Sequence, residues 1–405
     1  MIKYLKFIQE ITLKKVMHFG AGNIGRGFFG QLYHESGYHI IFVDIVKQVI
    51  DTINQQRQYP IWLVGEDVKK LVVTNISGIP LNDEQSIIEA SKHVNLISVS
   101  VGANNIKNLM PLLAKIIEKK FVADPSDFLN IIIGENMKNA SGIVKQWILE
   151  QLSNEAKDFF NRNVGLVETV LSRMVPVVPE ELKKQYPLIV LVEPYKTMPV
   201  AKNMFKGHIP EIKNFLFVED IEPYEAMKLY IHNFTHASFA CAGHLKHYQF
   251  IWESVSDLKI KQAVDRAYLE IQQAINKKYG VSIEELDNYY RDLIERFLNK
   301  SLGDTISRVA REPLRKLGPH DRFIGAAKMC VEQNVIPEYV CFFTACCLYY
   351  DQPSDKESQQ LQNLLNTKGI DYVLQEVSGL SCSDSIFNMI KDRYVNFCEL
   401  REKMI

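Results

Sequence analysis

The stretch Pro223-Tyr224-Glu225-Ala226-Met227-Lys228-Leu229-Tyr230-Ile231-His232-Asn233-Phe234-Thr235-His236 carries four groups able to hold or move a proton: Glu225, Lys228, Asn233 and His236. On an α-helix advancing about 100° per residue, with Lys228 at the origin, Glu225 falls near about 60°, His236 near about 80° and Asn233 near about 140°. The four then share one face of a segment whose other positions are mostly apolar or small. A solvated polar face has the same spacing. Beside a hydride carrier, however, this set supplies what carbonyl–alcohol interconversion needs. A lysine of lowered pKa serves as acid–base for the hydroxyl proton, and Asn and His N–H groups hold a developing alkoxide. Burial and a protonated His236 are expected to lower the Lys228 pKa, with Glu225 opposing both.

A place for such a carrier is written near the N-terminus. Gly20-x-Gly22-x-x-Gly25, within Phe19-Gly20-Ala21-Gly22-Asn23-Ile24-Gly25, follows the apolar residues Val16, Met17 and Phe19 and precedes a helical pattern. In that context Gly20 makes a tight turn, Gly22 lets backbone approach a pyrophosphate, and Gly25 packs the new helix onto the sheet, with the helix N-terminus facing the phosphates. The next apolar run, His39-Ile40-Ile41-Phe42-Val43, ends at Asp44, 19 residues after Gly25. An acidic residue there accepts hydrogen bonds from both adenosine ribose hydroxyls and repels a 2′-phosphate, so NAD is expected over NADP.

These groups need a frame to hold them. The first half alternates short apolar strands with helical patterns, the mark of a doubly wound parallel sheet. Runs at 15–19, 39–43, 94–101, 130–133 and 186–194 read as strands, and 62–64 with 71–74 as a hairpin excursion around Gly65-Glu66-Asp67. Ligands of such sheets bind beyond the strand C-termini. The turn at Gly20 to Gly25, Val101-Gly102, and Glu135-Asn136 are therefore expected to converge on one cofactor. Beyond about residue 220 the pattern is helical, with long amphipathic stretches at 256–279, 283–300 and 384–402. The expected fold is α/β: an N-terminal Rossmann-type sheet domain over 15–200, preceded by an extension over 1–14 and followed by a mainly α-helical domain over 201–405.

The bulk numbers agree with a two-domain globular chain: 405 residues, 47% hydrophobic, 23% charged. A net charge of −1 gives no reason to expect nucleic acid or an anionic membrane as partner. No apolar run reaches the roughly 18 residues that span a bilayer, and the N-terminus has no signal-peptide pattern. Seven cysteines, with no C-x-x-C pair and no histidine at zinc spacing, read as buried thiols of a reducing cytoplasm and not as metal ligands. Arg308, Arg311, Arg315, Lys316, His320 and Arg322 lie within 15 positions, interrupted by Pro313 and followed by the turn Gly318-Pro319. Arginines at helix ends and turns suit bidentate capture of a dianion, although each one alone reads equally well as the partner of a surface carboxylate.

The glycine stretch, Gly134-Glu135-Asn136-Met137, the Lys228-x4-Asn233-x2-His236 signature and Arg308-x2-Arg311-Glu312-Pro313-Leu314-Arg315-Lys316-Leu317, in this order, resemble the polyol-specific long-chain dehydrogenases from about Val16 to the C-terminal region. The resemblance implies metal-independent hydride transfer with NAD. Lys228 would be the acid–base, Asn233 and His236 would polarise the carbonyl, and Glu225 would relay the proton. Val101, Gly102 and Asn136 would join the cofactor residues, while Asn136, Arg173, Arg311, Arg315 and Lys316 would contact substrate. The short phosphate-using members match this length, so the expected reaction interconverts D-mannitol 1-phosphate and D-fructose 6-phosphate, in a chain that is expected to be monomeric. One departure keeps oxidation of free mannitol or reduction of a hexuronate open: the family's Val-Asp-Arg-Ile-x-Pro is here Leu171-Ser172-Arg173-Met174-Val175-Pro176. An NAD-binding protein without catalysis is the alternative from another class.

Overall fold

The computed structural model describes residues 14–65 and 67–397. Residues 1–13, most of the expected N-terminal extension, lie outside them, as do Cys398 and the rest of the expected 384–402 stretch. Two compact units divide between Ile221 and Glu222.

Among the described residues the first unit has eleven strands: β1 (Lys15–Phe19), β2 (His39–Asp44), β3 (Gln58–Leu63), β4 (Lys69–Thr74), β5 (Ile76–Pro80), β6 (Leu96–Val99), β7 (Leu129–Ile133), β8 (Val164–Glu168), β9 (Val190–Val192), β10 (Met198–Ala201) and β11 (Phe215–Val218). Six of them form one sheet in the order β5-β2-β1-β6-β7-β8, and every pairing in it is parallel. Reading outward from β1 the chain winds one way through β2 and β5, then the other way through β6, β7 and β8. This is the doubly wound order that places a ligand crevice at the C-terminal ends of β1 and β6. Successive side chains of each strand enter opposite cores. Met17, Phe19, Ile41, Val43, Ile97, Val99, Ile131 and Ile133 pack on one face, and Val16, Ile40, Phe42, Leu96 and Ile132 on the other. A sheet buried on both faces explains why these strands read as unbroken apolar runs.

The expected hairpin is present: β3 and β4 pair antiparallel, and β9 adds parallel to β3 in a separate three-stranded sheet. The expected strand at 186–194 is confined to its centre, Val190–Val192. Strands β10 and β11 pair with each other and carry the first unit past residue 200, before the helical unit begins.

The second unit is helical. Helix Phe234–Leu245 is buried at nearly every position from Phe234 to Gly243, and Glu338–Leu348 at every position from Val340. Helices apolar all round form the interior, and amphipathic ones sheathe them. Leu258–Tyr279 starts at Asp257, whose carboxylate accepts the Lys259 and Ile260 amides, and stops at Gly280 with φ +72°. Ile283–Phe297 starts at Ser282, which accepts the Glu285 amide. The expected amphipathic stretches thus hold, trimmed by their caps. Five of the seven cysteines, Cys241, Cys330, Cys341, Cys346 and Cys347, are buried in this unit, while Cys382 is exposed, contrary to the reading of all as buried. No described helix is long and apolar enough to cross a membrane.

Candidate active site

The glycine turn is held from three sides. Gly20 donates its amide to Val43 at 2.8 Å and adopts φ +105°, where a side chain would be strained and a Cβ would lie 2.3 Å from the Ser100 carbonyl oxygen. A Cβ on Gly25 would lie 1.8 Å from the Gly20 oxygen, so only glycine lets the helix over 23–35 start this close to the strand end. Gly22, by contrast, is exposed and faces open space, with no atom within 4 Å of where its Cβ would be. Asp44 closes the turn from β2. Its Oδ2 accepts the Ala21 amide at 2.6 Å and its Oδ1 the Val46 amide at 2.8 Å, leaving lone pairs on a partly exposed carboxylate for hydroxyl donors. Behind the turn, buried His18 joins β1 to β6 through Ser98 Oγ at 2.6 Å and Ser100 Oγ at 2.9 Å. Burial lowers its pKa to about 3, so the ring is neutral.

The remaining strand ends meet as expected, through a contact the motif did not reveal. Glu135 is buried at the end of β7, and its Oε1 accepts the amides of Val101 at 2.7 Å and Gly102 at 2.8 Å. Asn136 follows it on the surface. Burial raises the Glu135 pKa to about 7, against the pull of the two N–H groups. The folded protein therefore keeps this proton at pH values where an ordinary carboxyl (4.5) has lost it, and stability falls as pH rises from about 4.5 to about 7. Glu135→Gln keeps the accepting oxygen and removes the titration. Relative to wild type, its thermal midpoint should gain more at about pH 8 than at about pH 5, a difference on the order of 1–3 kcal/mol in stability. Equal shifts at both pH values would show that Glu135 does not titrate in this range.

Arg173, expected to contact substrate, has its guanidinium in a network within the first unit. It is buried. Nε and Nη2 donate to the Glu193 carbonyl at 3.0 and 2.7 Å, and Nη1 donates to the Gly27 carbonyl at 2.8 Å and to Gln31 Oε1 at 2.7 Å. The guanidinium thus ties the chain after β9 to the helix over 23–35. Ser172 beside it is buried too, a position where a carboxylate would need a partner.

In the helical unit, the segment that carries Lys228 is not plain α-helix. The helix over 222–245 is interrupted by a π segment, Met227–Asn233. Hydrogen bonds closing i→i+5 bring residues five apart nearly into line, so Lys228 and Asn233 share a face more closely than the about 140° of an α-helical wheel. The Lys228 pKa is lowered to about 8, by burial first, then by Arg322 and Arg315, with Asp321 and Glu225 pulling it back up. Direction and size fit an acid–base group. The cationic neighbours are arginines, however, and not the expected His236.

His236 instead faces a carboxylate. Its Nε2 lies 2.8 Å from Asp304 Oδ2, and the ring stacks on Phe297 with centroids 4.5 Å apart. Buried Asp304 also accepts Arg308 Nε at 2.9 Å and Nη2 at 2.6 Å on Oδ1. Burial pushes the Asp304 pKa up, but His236 and Arg308 together outweigh it and hold the carboxyl below its ordinary range. A carboxylate at Nε2 fixes the ring and leaves Nδ1 as the nitrogen for a ligand. Asp304 sits 68 residues from His236, in a loop with no motif of its own.

The basic cluster is largely neutralised from within. Arg308 belongs to Asp304, Arg315 to Glu312 and Asp321, and Arg322 to Asp321. Lys316 is buried, donates to the Arg311 carbonyl, and has its pKa lowered to about 8 by burial, then by Arg322 and Arg315. Arg311 is the most exposed of these cations, only 3.8 Å from Glu312, and borders a hollow of about 360 Å³ with Ser307, Arg308, Gln352 and Lys356.

The mannitol dehydrogenase Rossmann domain family matches residues 14–214, and the mannitol dehydrogenase C-terminal domain family matches residues 220–398. A mannitol-1-phosphate 5-dehydrogenase of Thermoanaerobacter pseudethanolicus is 34% identical over 391 residues, 96% of this chain and 99% of its own. That of Bacillus subtilis is also 34% identical, over 92% of this chain and 98% of its own. Among solved structures, Pseudomonas fluorescens mannitol 2-dehydrogenase in ternary complex with NAD and D-mannitol is similar with a TM-score of 0.74, over 97% of this chain and 94% of that one, at 16% identity. A D-sorbitol dehydrogenase in substrate-free form reaches 0.80 over 97% of each chain at 13% identity. At such identities the likeness is one of fold, and it agrees with the sheet order and helical second unit described above. By both of its matched parts, the chain belongs to the mannitol dehydrogenase family.

Proposed function

We propose that the protein is an NAD-dependent polyol-phosphate dehydrogenase that interconverts D-mannitol 1-phosphate and D-fructose 6-phosphate. The observation that carries this reading is the likeness, at 32–35% identity and over 92–96% of the chain, to proteins named mannitol-1-phosphate 5-dehydrogenase. The turn fits the cofactor: Gly22 leaves room where a pyrophosphate would lie, and Asp44 offers acceptors to ribose hydroxyls. NAD supplies or accepts the hydride at C2 of the ketose.

This chain's residues handle the proton. Lys228 gives it to the carbonyl oxygen in reduction and takes it from the hydroxyl in oxidation, and a pKa near 8 makes both forms accessible. Asn233 and His236 hold the oxygen as its charge changes, and Glu225 passes the proton onward. Arg311 and Arg315, with Lys316, serve the substrate phosphate, and Asn136 lies among the cofactor and substrate contacts. Lys316 acts through the Arg311 backbone, which its ammonium holds. Following NADH absorbance with fructose 6-phosphate and with free fructose tests the reading. Turnover is expected with the phosphate ester and not with the free sugar. Turnover of free fructose with none of the ester would overturn the substrate, and silence on both, and on hexuronates, with NADH still bound would overturn the reaction.

A further inference from the structure

The hollow of about 360 Å³ in the helical unit has Ser307, Arg308, Arg311, Glu312, Asp355 and Lys356 among its walls. Its carboxylates are already engaged. Glu312 Oε2 accepts Arg315 Nε at 3.0 Å and lies 2.9 Å from Nη2 of the same guanidinium. Asp355 caps the helix Lys356–Tyr372, its Oδ1 accepting the Glu357 amide at 3.1 Å, while its Oδ2 accepts the Glu312 amide at 2.9 Å. Two of its cations are not engaged. Arg311 Nε stands 3.8 Å from Glu312 Oε1, beyond hydrogen-bond reach. Lys356, exposed at the start of its helix, makes no ion pair among the described residues.

Arg311 is nonetheless carried on a fixed backbone. Its amide donates to the Ser307 carbonyl at 3.2 Å, and the Lys316 ammonium holds its carbonyl. The next residue, Glu312, is kept at φ +61°, a conformation that a non-glycine residue retains only where its surroundings impose it. A rigid backbone bearing an unpaired guanidinium, its side chain 61% exposed, suits capture of an anion from solution. Arg308 links the hollow to the catalytic groups. Its Nε and Nη2 donate to Asp304 Oδ1, and Asp304 Oδ2 faces His236 Nε2 at 2.8 Å. Its Nη1 has no partner among the described residues. We propose that the hollow seats the substrate phosphate on Arg311 and Lys356, and that Arg308 makes its occupancy felt at His236. In fructose 6-phosphate the reacting C2 and the phosphorylated C6 lie far apart along the carbon chain, as the hollow and His236 are set apart by a guanidinium and a carboxylate. A dianion beside Arg308 steadies the guanidinium that holds Asp304, and Asp304 steadies the ring, so binding energy from the remote end is used at the reacting one. This inference rests on the proposed reaction of a phosphate ester.

The test uses the full-length protein, NADH absorbance, and inorganic phosphate as the probe. In wild type, phosphate should compete with fructose 6-phosphate, raising its KM and leaving kcat alone. Lys356→Met should raise that KM and the phosphate inhibition constant by the same factor, roughly tenfold, the loss of a charge-assisted hydrogen bond. Lys356→Arg should recover most of both. Lys356 is exposed, so neither change disturbs the core. The link to His236 has its own readout. Free fructose, not reduced alone, should be reduced at a measurable rate once inorganic phosphate is added, and Arg308→Lys, which keeps the charge without the fork, should lose that gain. Inhibition by phosphate that does not compete with the ester would overturn the proposal, because it marks a separate anion site. So would a KM for Lys356→Met within about twofold of wild type, the effect of a merely screened surface charge. No gain on free fructose with phosphate present would overturn the role given to Arg308. A wild type silent on fructose 6-phosphate would overturn the reaction on which this inference rests, a result distinct from all of these.

Discussion

Lys228→Ala is expected to lose a hundredfold or more of its turnover while binding NADH with nearly wild-type affinity. General acid–base groups contribute about 10²–10⁴ to rate, and an alanine leaves nothing at this position to exchange the hydroxyl proton. The residues that fit the cofactor, Gly22 and Asp44, belong to the other unit of the chain and are untouched. The pH profile gives a sharper test. With the ammonium titrating near about 8, polyol-phosphate oxidation needs the neutral amine and should rise with pH up to that value. Ketose-phosphate reduction needs the ammonium and should fall above it. Glu225 opposes the lowering, so Glu225→Gln should move both limbs to lower pH. An added primary amine should restore part of the lost rate to Lys228→Ala. Turnover within threefold of wild type in that variant would remove the lysine from the mechanism.

What could be read from the residue order was what is local or periodic. The turn at Gly20, Gly22 and Gly25 and the acid at Asp44 keep fixed offsets because one βαβ unit sets them, and the β1, β2, β6 and β7 runs are apolar because both sheet faces are covered. Strands β5 and β10 escaped because Gly78, Pro80 and Pro199 read as breakers, although β5 lies at the sheet edge where proline is tolerated. Strand β8 escaped because it follows the helix Asn154–Asn163 with no intervening turn residue. Lys228, Asn233 and His236 read as a group by spacing, but the π segment that brings Lys228 and Asn233 closer to one face was not legible, since a wheel drawn at one fixed angle hides it. Arg173 shows what order alone leaves out: an arginine in a family motif suggests a ligand contact, and the fold adds that its guanidinium donates to the Gly27 and Glu193 carbonyls and to Gln31. Glu135 was legible as a strand end but not as the acceptor of the Val101 and Gly102 amides, and Asp304 was not legible at all, because these partners are brought together by strand order and helix packing across many residues.

Asp304 yields the second large effect, through the orientation of His236. In the wild-type pair Asp304 Oδ2 faces Nε2 at 2.8 Å, while Oδ1 receives Arg308 at 2.9 and 2.6 Å. A carboxylate accepts from both, so the neutral ring carries its proton on Nε2 and presents a bare Nδ1, and the charged ring presents Nδ1–H to a developing alkoxide. Asp304→Asn preserves shape and burial but breaks this symmetry. Arg308 has only donors, so it draws the amide oxygen to its own side and turns the NH₂ group toward Nε2. The neutral ring must then move its proton to Nδ1, and the charged ring loses the anion that stabilised it. Turnover should fall by roughly a hundredfold, less than the about 10⁴ lost when the mis-set histidine is itself the general base, with NADH affinity unchanged. A merely structural role would add to the loss of the histidine, whereas a role through the ring would not. The double variant Asp304→Asn/His236→Asn should therefore be no slower than His236→Asn alone. Single-variant turnover within threefold of wild type, or full additivity in the double variant, would reduce Asp304 to a packing residue.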